Sequence, residues 1–403
     1  MVIPKNFGGI GVKYNFDESI NRLQTNSIKW DEVENLFGDK EMLPMWVADM
    51  DFKSPKPVID ALIKRAEHGI YGYTTRPDAY YDATVGWMKR RHNWTIEKDW
   101  ITFCPGVVPA LHIIVQNFTN PGDKILIQPP VYYPFMSVIE KNGREIAYNP
   151  LQFENGRYTM DFDDLEKKID PSVKMIILSN PHNPVGRVWT KDELSKLGEI
   201  CLKHNVLVVS DEIHFDLVYK GNVHTPFAAI SDEFAENSIT CTAPSKTFNL
   251  AGLKTSNIII PNKEYREKFT KAVEDAFISM TNTFGVTALI AAYEEGDEWL
   301  DQLMDYLQEN LNFLKEYIQT HVPEVKVIEP EATYLVWLDC RQLGLEAKEL
   351  EHVIQKQGKV AFDEGYIFGK EGEGFTRINI ACPRALLEEG LKRFSQAVKQ
   401  KIK

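Results

Sequence analysis

Residues 173–214 read "VKMIILSNPHNPVGRVWTKDELSKLGEICLKHNVLVVSDEIH". Two short apolar runs rich in β-branched residues, "VKMIILS" from Val173 and "NVLVVS" from Asn205, stand at its ends. Between them Thr190 is placed as a helix N-cap, with Glu193 three residues on as its capping-box partner. Leu194, Leu197, Ile200 and Cys201 then share one helical face. Strand, crossover helix and strand in this order predict a βαβ unit, and runs apolar at every position predict a sheet covered on both sides.

The same pattern extends outward, with "KILIQ" from Lys124 before it and "KTSNIII" from Lys254 after it. Beyond about residue 290 the periodicity changes: Leu300, Leu303, Leu307, Leu311, Leu314 and Ile318 recur at intervals of three or four, which predicts one long amphipathic helix. "TYLVWLD", "FTRINIA" and the helical "RALLEEGLKRFSQAVKQKIK" follow. The expected fold class is α/β, a large domain with a mostly parallel sheet flanked by helices plus a smaller α+β domain. The expected division is an N-terminal arm over 1–49 that joins the smaller domain, a large domain over 50–290 and the small domain over 291–403.

Composition narrows the function. Lysine and arginine total 46 against 58 acidic residues, a formal net charge of -12, and no basic block could follow a phosphate backbone, so nucleic-acid binding is not expected. The five cysteines are scattered without a metal-binding spacing, which fits reduced thiols in a cytoplasmic protein and gives no metal site. The start "MVIPKNFGGIGVKYNF" lacks an apolar leader, and no run approaches a membrane span, so neither secretion nor membrane insertion is expected.

In open α/β sheets ligands sit beyond the carboxyl ends of the strands. "VKMIILS" is followed by Asn180 and Asn183 in a proline-rich turn, and "NVLVVS" by Asp211 and His214. After Ile239, Thr240 and Cys241 come Ser245 and Lys246, and upstream "CPGVVPALHIIV" puts Gly106 where a loop becomes a helix, a start whose free N–H groups suit an anion. An amine able to form an imine, an acid for an aromatic nitrogen, a phosphate cradle and a stacking aromatic together describe a pyridoxal phosphate site. Singly these residues carry little: alone, Lys246 reads first as a surface lysine, Asp211 as an N-cap and Asn180 as a turn former.

Seven motifs occur in order: "LPMWVADMDF" from residue 43, "HGIYGYT", "PPVYYPF", "NPHNPVGRVW", "SDEIHFDLVY", "APSKTFNLAGLK" and "TRINIACPR" ending at 384. In these the chain resembles the fold-type I pyridoxal phosphate enzymes of the class I/II aminotransferase superfamily, and more closely their cystathionine β-lyase branch. The resemblance implies that Lys246 bonds the cofactor covalently and later moves the Cα proton, that Asp211 pairs with the pyridine nitrogen, that Asn183 donates to the ring hydroxyl oxygen, and that Tyr132 stacks on the ring, with Tyr133 left without a role. It implies a phosphate site from the backbone of Gly106 and Val107, Ser245 and Lys254, the last standing where an arginine is usual; lysine binds as a point charge rather than a fork. Tyr73 resembles the tyrosine that reaches the phosphate from a neighbouring subunit, implying a homodimer with shared sites.

Arg377 lies mid-strand in "FTRINIA", where a charge is costly unless paired. The strand alone leaves a structural ion pair open; the resemblance makes it the clamp for the substrate carboxylate, with Trp46 at the edge of the same pocket. His214, three residues after Asp211, stands where aminotransferases of the superfamily commonly carry tyrosine and the lyase branch histidine. The expected activity is therefore α,β-elimination from an L-cysteine S-conjugate such as cystathionine, a small amino acid substrate. An amino acid aminotransferase is the alternative enzyme, and a regulatory protein that merely holds the cofactor is the alternative of another class.

Overall fold

The computed structural model describes residues 12–401; the first residues of the expected N-terminal arm, and most of the stretch read for a leader, lie outside them. The central sheet has seven strands: β1 (Ile101–Cys104), β2 (Lys124–Ile127), β3 (Glu145–Tyr148), β4 (Val173–Ser179), β5 (Leu207–Asp211), β6 (Ser238–Thr242) and β7 (Ser256–Ile259). Their spatial order is β1-β7-β6-β5-β4-β2-β3. Pairings β3/β2, β2/β4, β4/β5 and β5/β6 are parallel, whereas β7 is antiparallel to both β6 and β1. The expected mostly parallel α/β sheet is thus present, with one reversed strand.

Side chains of a strand alternate between faces, and here both faces are covered. Met175 and Ile177 of β4 enter one apolar cluster with Val107 and Leu111 of the helix Val107–Phe118, whereas Ile176 and Leu178 enter the other with Leu194 and Leu197 of the helix Lys191–Lys203. That second helix carries the full capping box, in which Thr190 Oγ1 accepts from the Glu193 N–H and a Glu193 carboxylate oxygen accepts from the Thr190 N–H.

The helix Asp297–His321 buries Leu300, Leu303, Leu307, Leu311, Leu314 and Ile318. It belongs to a third apolar cluster shared with strands of a four-stranded sheet, β8 (Lys326–Val327), β9 (Leu335–Asp339), β10 (Asp363–Glu364) and β11 (Phe375–Asn379), ordered β8-β9-β11-β10. All five residues of β11 are buried, so Arg377 has no solvent face to turn to. The segment 43–52 crosses between the sheets: Met45 N–H donates to the Ala361 carbonyl, and Asn249 bonds the backbone of Met50 and Phe52. Among the described residues no helix is long and apolar enough to cross a membrane, and no group of acidic, histidine or cysteine side chains could hold a metal ion. The five cysteines are buried and free.

Candidate active site

Strands β1, β4, β5 and β6 run in one direction and end on one edge of the sheet, so the residues that follow them meet there: Pro105–Gly106, Asn180–Asn183, Asp211–His214 and Ala243–Lys246. Because β7 runs the opposite way, it begins at that edge, and this reversal brings Lys254 and Thr255 to it. A cavity of about 200 Å³ opens among these segments.

At one end of the cavity the helix Val107–Phe118 begins, and no side chain caps it. Gly106, Val107, Ser245 and Lys254 are all on the cavity wall. Backbone N–H groups at a helix start, a hydroxyl and an ammonium form a donor set for an anion. Gly106 is in ordinary extended backbone, φ 177°, so its conformation does not itself demand glycine.

At the other end Asp211, the last residue of β5, is buried. Among the described residues its carboxylate accepts only from the Ile213 N–H, at 3.2 Å, and burial pushes its pKa up to about 7. A buried carboxylate with a single donor calls for a proton or a cation. Between the two ends, Lys246 sits on the one-turn helix Pro244–Thr247, whose orientation is held by Thr247 Oγ1 donating to Asp216 at 2.7 Å. Lys246 Nζ donates to the Ala48 carbonyl at 2.7 Å, and the Tyr334 hydroxyl donates to the same oxygen at 3.0 Å. Desolvation pushes the amine down to about 8, the Arg377 charge adding to this and Asp49 and Asp211 opposing it. Among the described residues Lys246 forms no ion pair.

Tyr132, Asn183 and His214 complete the wall. Burial pushes the Tyr132 hydroxyl up and the His214 ring well below its ordinary value, so both are neutral, and among the described residues His214 Nδ1 has no partner. Asn180 lies outside the wall, its amide donating to the Thr225 carbonyl at 3.2 Å as a loop-forming residue would. Tyr133 is partly exposed and packs on Phe368.

Three expected residues are not on the cavity wall. Arg377 lies behind it: Nη1 donates to Asn183 Oδ1 at 2.9 Å, Nη2 to the Trp46 carbonyl at 3.2 Å, and Nη2 also to Asp363. The ion pair that the strand alone left open is therefore present. The Trp46 ring packs edge-on against Phe37, centroids 5.3 Å apart, and its Nε1 donates to the Lys29 carbonyl at 3.4 Å; the expectation that the indole borders the cavity is corrected, because these contacts hold the ring elsewhere and only its backbone carbonyl reaches Arg377. Tyr73 is 94% exposed and does not line its own chain's cavity.

The sequence reading passed over Ala48, Tyr334 and Asp363. Ala48 stands inside the quoted "LPMWVADMDF", but a carbonyl acceptor has no side-chain signature; Asp363, directly after the apolar Val360, Ala361 and Phe362, was the available signal. The cavity fits pyridoxal phosphate on its own chemistry: an anion-binding end, an amine near neutrality, and a buried carboxylate lacking a cation. The class I and II aminotransferase family model matches residues 40–394. The chain is 51% identical to cystathionine beta-lyase PatB of Bacillus subtilis over 385 residues, 95% of this chain and 100% of that protein. Cystalysin from Treponema denticola, whose structure contains pyridoxal 5'-phosphate, matches with a TM-score of 0.94 at 42% identity over 96% of this chain and 100% of that one. A pyridoxal phosphate-bound C-S lyase from Staphylococcus hominis matches with a TM-score of 0.91 at 37% identity, over 97% of this chain and 100% of that one.

Proposed function

The chain belongs to the class I and II aminotransferase family, and from that premise we propose that it is a pyridoxal phosphate-dependent carbon-sulfur β-lyase, converting L-cysteine S-conjugates such as L-cystathionine to pyruvate, ammonia and a thiol. One observation carries the reading: Lys246 and Asp211, opposite in charge and both desolvated, flank one cavity without pairing. In this reading residues 50–290 form the cofactor-binding domain, 291–403 a smaller one, and 1–49 an arm joined to the smaller.

Bound pyridoxal phosphate supplies an electrophilic carbonyl and a sink for the electron pair left at Cα. Gly106, Val107, Ser245 and Lys254 would hold its phosphate, Asp211 would pair with its ring nitrogen and Asn183 with its ring oxygen, and Tyr132 and His214 would complete the pocket around it. An amine with a pKa of about 8 is a base matched to neutral pH. Lys246 takes the Cα proton of the substrate, and the Cβ–S electron pair leaves with sulfur as a thiolate. The remaining three-carbon enamine hydrolyses to pyruvate and ammonia. Arg377 holds the substrate carboxylate, as a guanidinium suits that group.

Tyr73, Ile70, Tyr71, Phe277 and Met280 are exposed, and the backbone bridge between Thr74 and Thr281 draws their two segments together. An apolar surface of this kind is suited to a second copy of the chain, and Tyr73 then reaches the phosphate end of the partner's cavity. Mixed Tyr73→Ala and Lys246→Ala chains, each inactive, regain activity on subunit exchange if the site is shared.

Product analysis tests the activity. With cystathionine or an S-alkyl cysteine the protein releases pyruvate, ammonia and thiol in equal amounts over many turnovers without any 2-oxo acid. Dependence on a 2-oxo acid, with a new amino acid as product and cysteine conjugates inert, replaces the lyase with an aminotransferase.

A further inference from the structure

Both Nη2 hydrogens of Arg377 are engaged before any substrate arrives, and that limits how a carboxylate can be gripped. A guanidinium grips a carboxylate with two parallel bonds along one of two edges, Nε with Nη2 or Nη1 with Nη2, and both edges need a hydrogen on Nη2. Both Nη2 hydrogens are in use, one on Asp363 and one on the Trp46 carbonyl. Nη1 holds Asn183, and the Nε–H is buried without a partner. The Phe368 ring covers the guanidinium, 4.8 Å from Arg377 Cζ to the ring centroid.

One of the two Nη2 acceptors therefore yields to an incoming carboxylate. The Trp46 carbonyl is tied down on both sides: the Met45 carbonyl accepts from the Asn379 N–H, and the Val47 carbonyl accepts from Asn379 Nδ2 at 2.7 Å. Asp363 is fixed in the strand by its backbone, where Thr376 Oγ1 donates to its carbonyl at 2.9 Å, but its carboxylate is free to turn about the side-chain bonds. It stands directly opposite Arg377 in the β10/β11 register, is 7% exposed, and among the described residues its carboxylate has no other hydrogen-bond partner.

Resting on the reading of Arg377 as the carboxylate clamp, we propose that Asp363 is a specificity-determining residue: a resident carboxylate that occupies the clamp in the substrate-free site and is displaced by the substrate's own carboxylate. The titratable groups close enough to Asp363 for its charge to act on them are Arg377 on the neighbouring strand, Tyr132 and Tyr133 from the loop before the helix Pro134–Lys141, and its strand neighbour Glu364, while the charge of Arg377 acts on Lys246 and His214. None of those around Asp363 other than Arg377 is a cation. Burial already raises the Asp363 carboxyl, with Arg377 opposing, so leaving Arg377 shifts it further toward its protonated form. Carboxylate binding is then coupled to proton uptake, and by linkage affinity falls as pH rises.

The test is propionate, which has the carboxylate but no amine to react, bound to the holoenzyme at pH 7. Its affinity is read from the cofactor absorbance and its proton uptake from calorimetric heats in buffers of different ionisation enthalpy. Asp363→Asn is expected to bind propionate about tenfold more tightly and to lose close to one proton of uptake relative to the parent; Asp363→Ser, in case the amide disturbs the strand pair, is expected to do the same. Unchanged or weaker binding in both variants, or unchanged proton uptake, overturns the proposal. Arg377→Ala separates the two readings: if it binds propionate as the parent does, the clamp assignment fails, whereas loss of binding there with no gain in Asp363→Asn refutes only the displacement.

Discussion

Asp51 and Asp211 are the same residue type, 4% and 6% exposed, and their carboxyls are shifted in opposite directions. Asp51 accepts from Lys29 Nζ at 2.6 Å, Arg22 Nη1 at 2.7 Å and Trp30 Nε1 at 2.8 Å. These outweigh desolvation and hold its carboxyl below the ordinary value. Asp211 has one backbone donor, and desolvation wins. Burial sets the same cost at both positions; the partners supplied by the chain decide whether it is met. The N-terminal cluster of Arg22, Lys29, Asp49 and Asp51 is complete in itself, whereas Asp211 is incomplete until a ligand arrives. That incompleteness distinguishes a binding site from a structural charge network.

The contrast is broken most severely at the amine. Lys246→Ala is expected to lower kcat for elimination by at least about 10⁴-fold, since one group supplies both the covalent attachment and the proton transfer. Circular dichroism that matches the parent, with steady-state pyruvate formation near background, is the expected result; turnover within tenfold of the parent would remove Lys246 from its role.

Asp51→Asn attacks the completed cluster. Lys29, 1% exposed, then keeps its charge without its nearest carboxylate, at 2.6 Å. The expected loss is about 3–5 kcal/mol at pH 7, read from urea unfolding. A carboxyl depressed by folding contributes stability above its unfolded pKa and loses it as pH falls below, so the gap between variant and parent narrows below pH 3.8.

Asp211→Asn should behave in the opposite sense. An acid raised by folding costs stability wherever it is ionised in the unfolded chain, so the cofactor-free protein loses stability as pH rises from 3.8 to about 7. Removing the charge is expected to stabilise the cofactor-free protein at pH 8 by up to about 4 kcal/mol. The same variant is expected to lose on the order of 10²–10³-fold in kcat. A drop in cofactor-free stability at pH 8 would place Asp211 with Asp51 as a structural carboxylate.

Much of the molecule was legible because it depends on short-range chemistry. The runs at Val173 and Asn205, the Thr190–Glu193 capping box and the three-four repeat from Leu300 to Ile318 follow from side-chain periodicity and caps within a few residues. Once these implied a parallel sheet, the strand ends were the place to look, and Asp211, Lys246 and Asn183 could be placed at the cavity before any partner was known. The reversal of β7 was not legible, since an apolar run reads the same in either direction.

The pairings that set the electrostatics were decided only by tertiary structure. Ala48 and Lys246 are 198 positions apart, Asn183 and Arg377 194, and Asp51 finds Lys29 and Arg22 only because the N-terminal arm folds back upon them. Asp363 faces Arg377 through the register of two antiparallel strands, which no local pattern encodes. The sequence by itself determined which residues carry charge and on which strand ends they stand. Which of those charges find a partner was left to the packing of distant segments, because a hydrogen bond or ion pair depends on ångström-scale approach and a desolvated group's proton affinity depends on everything around it.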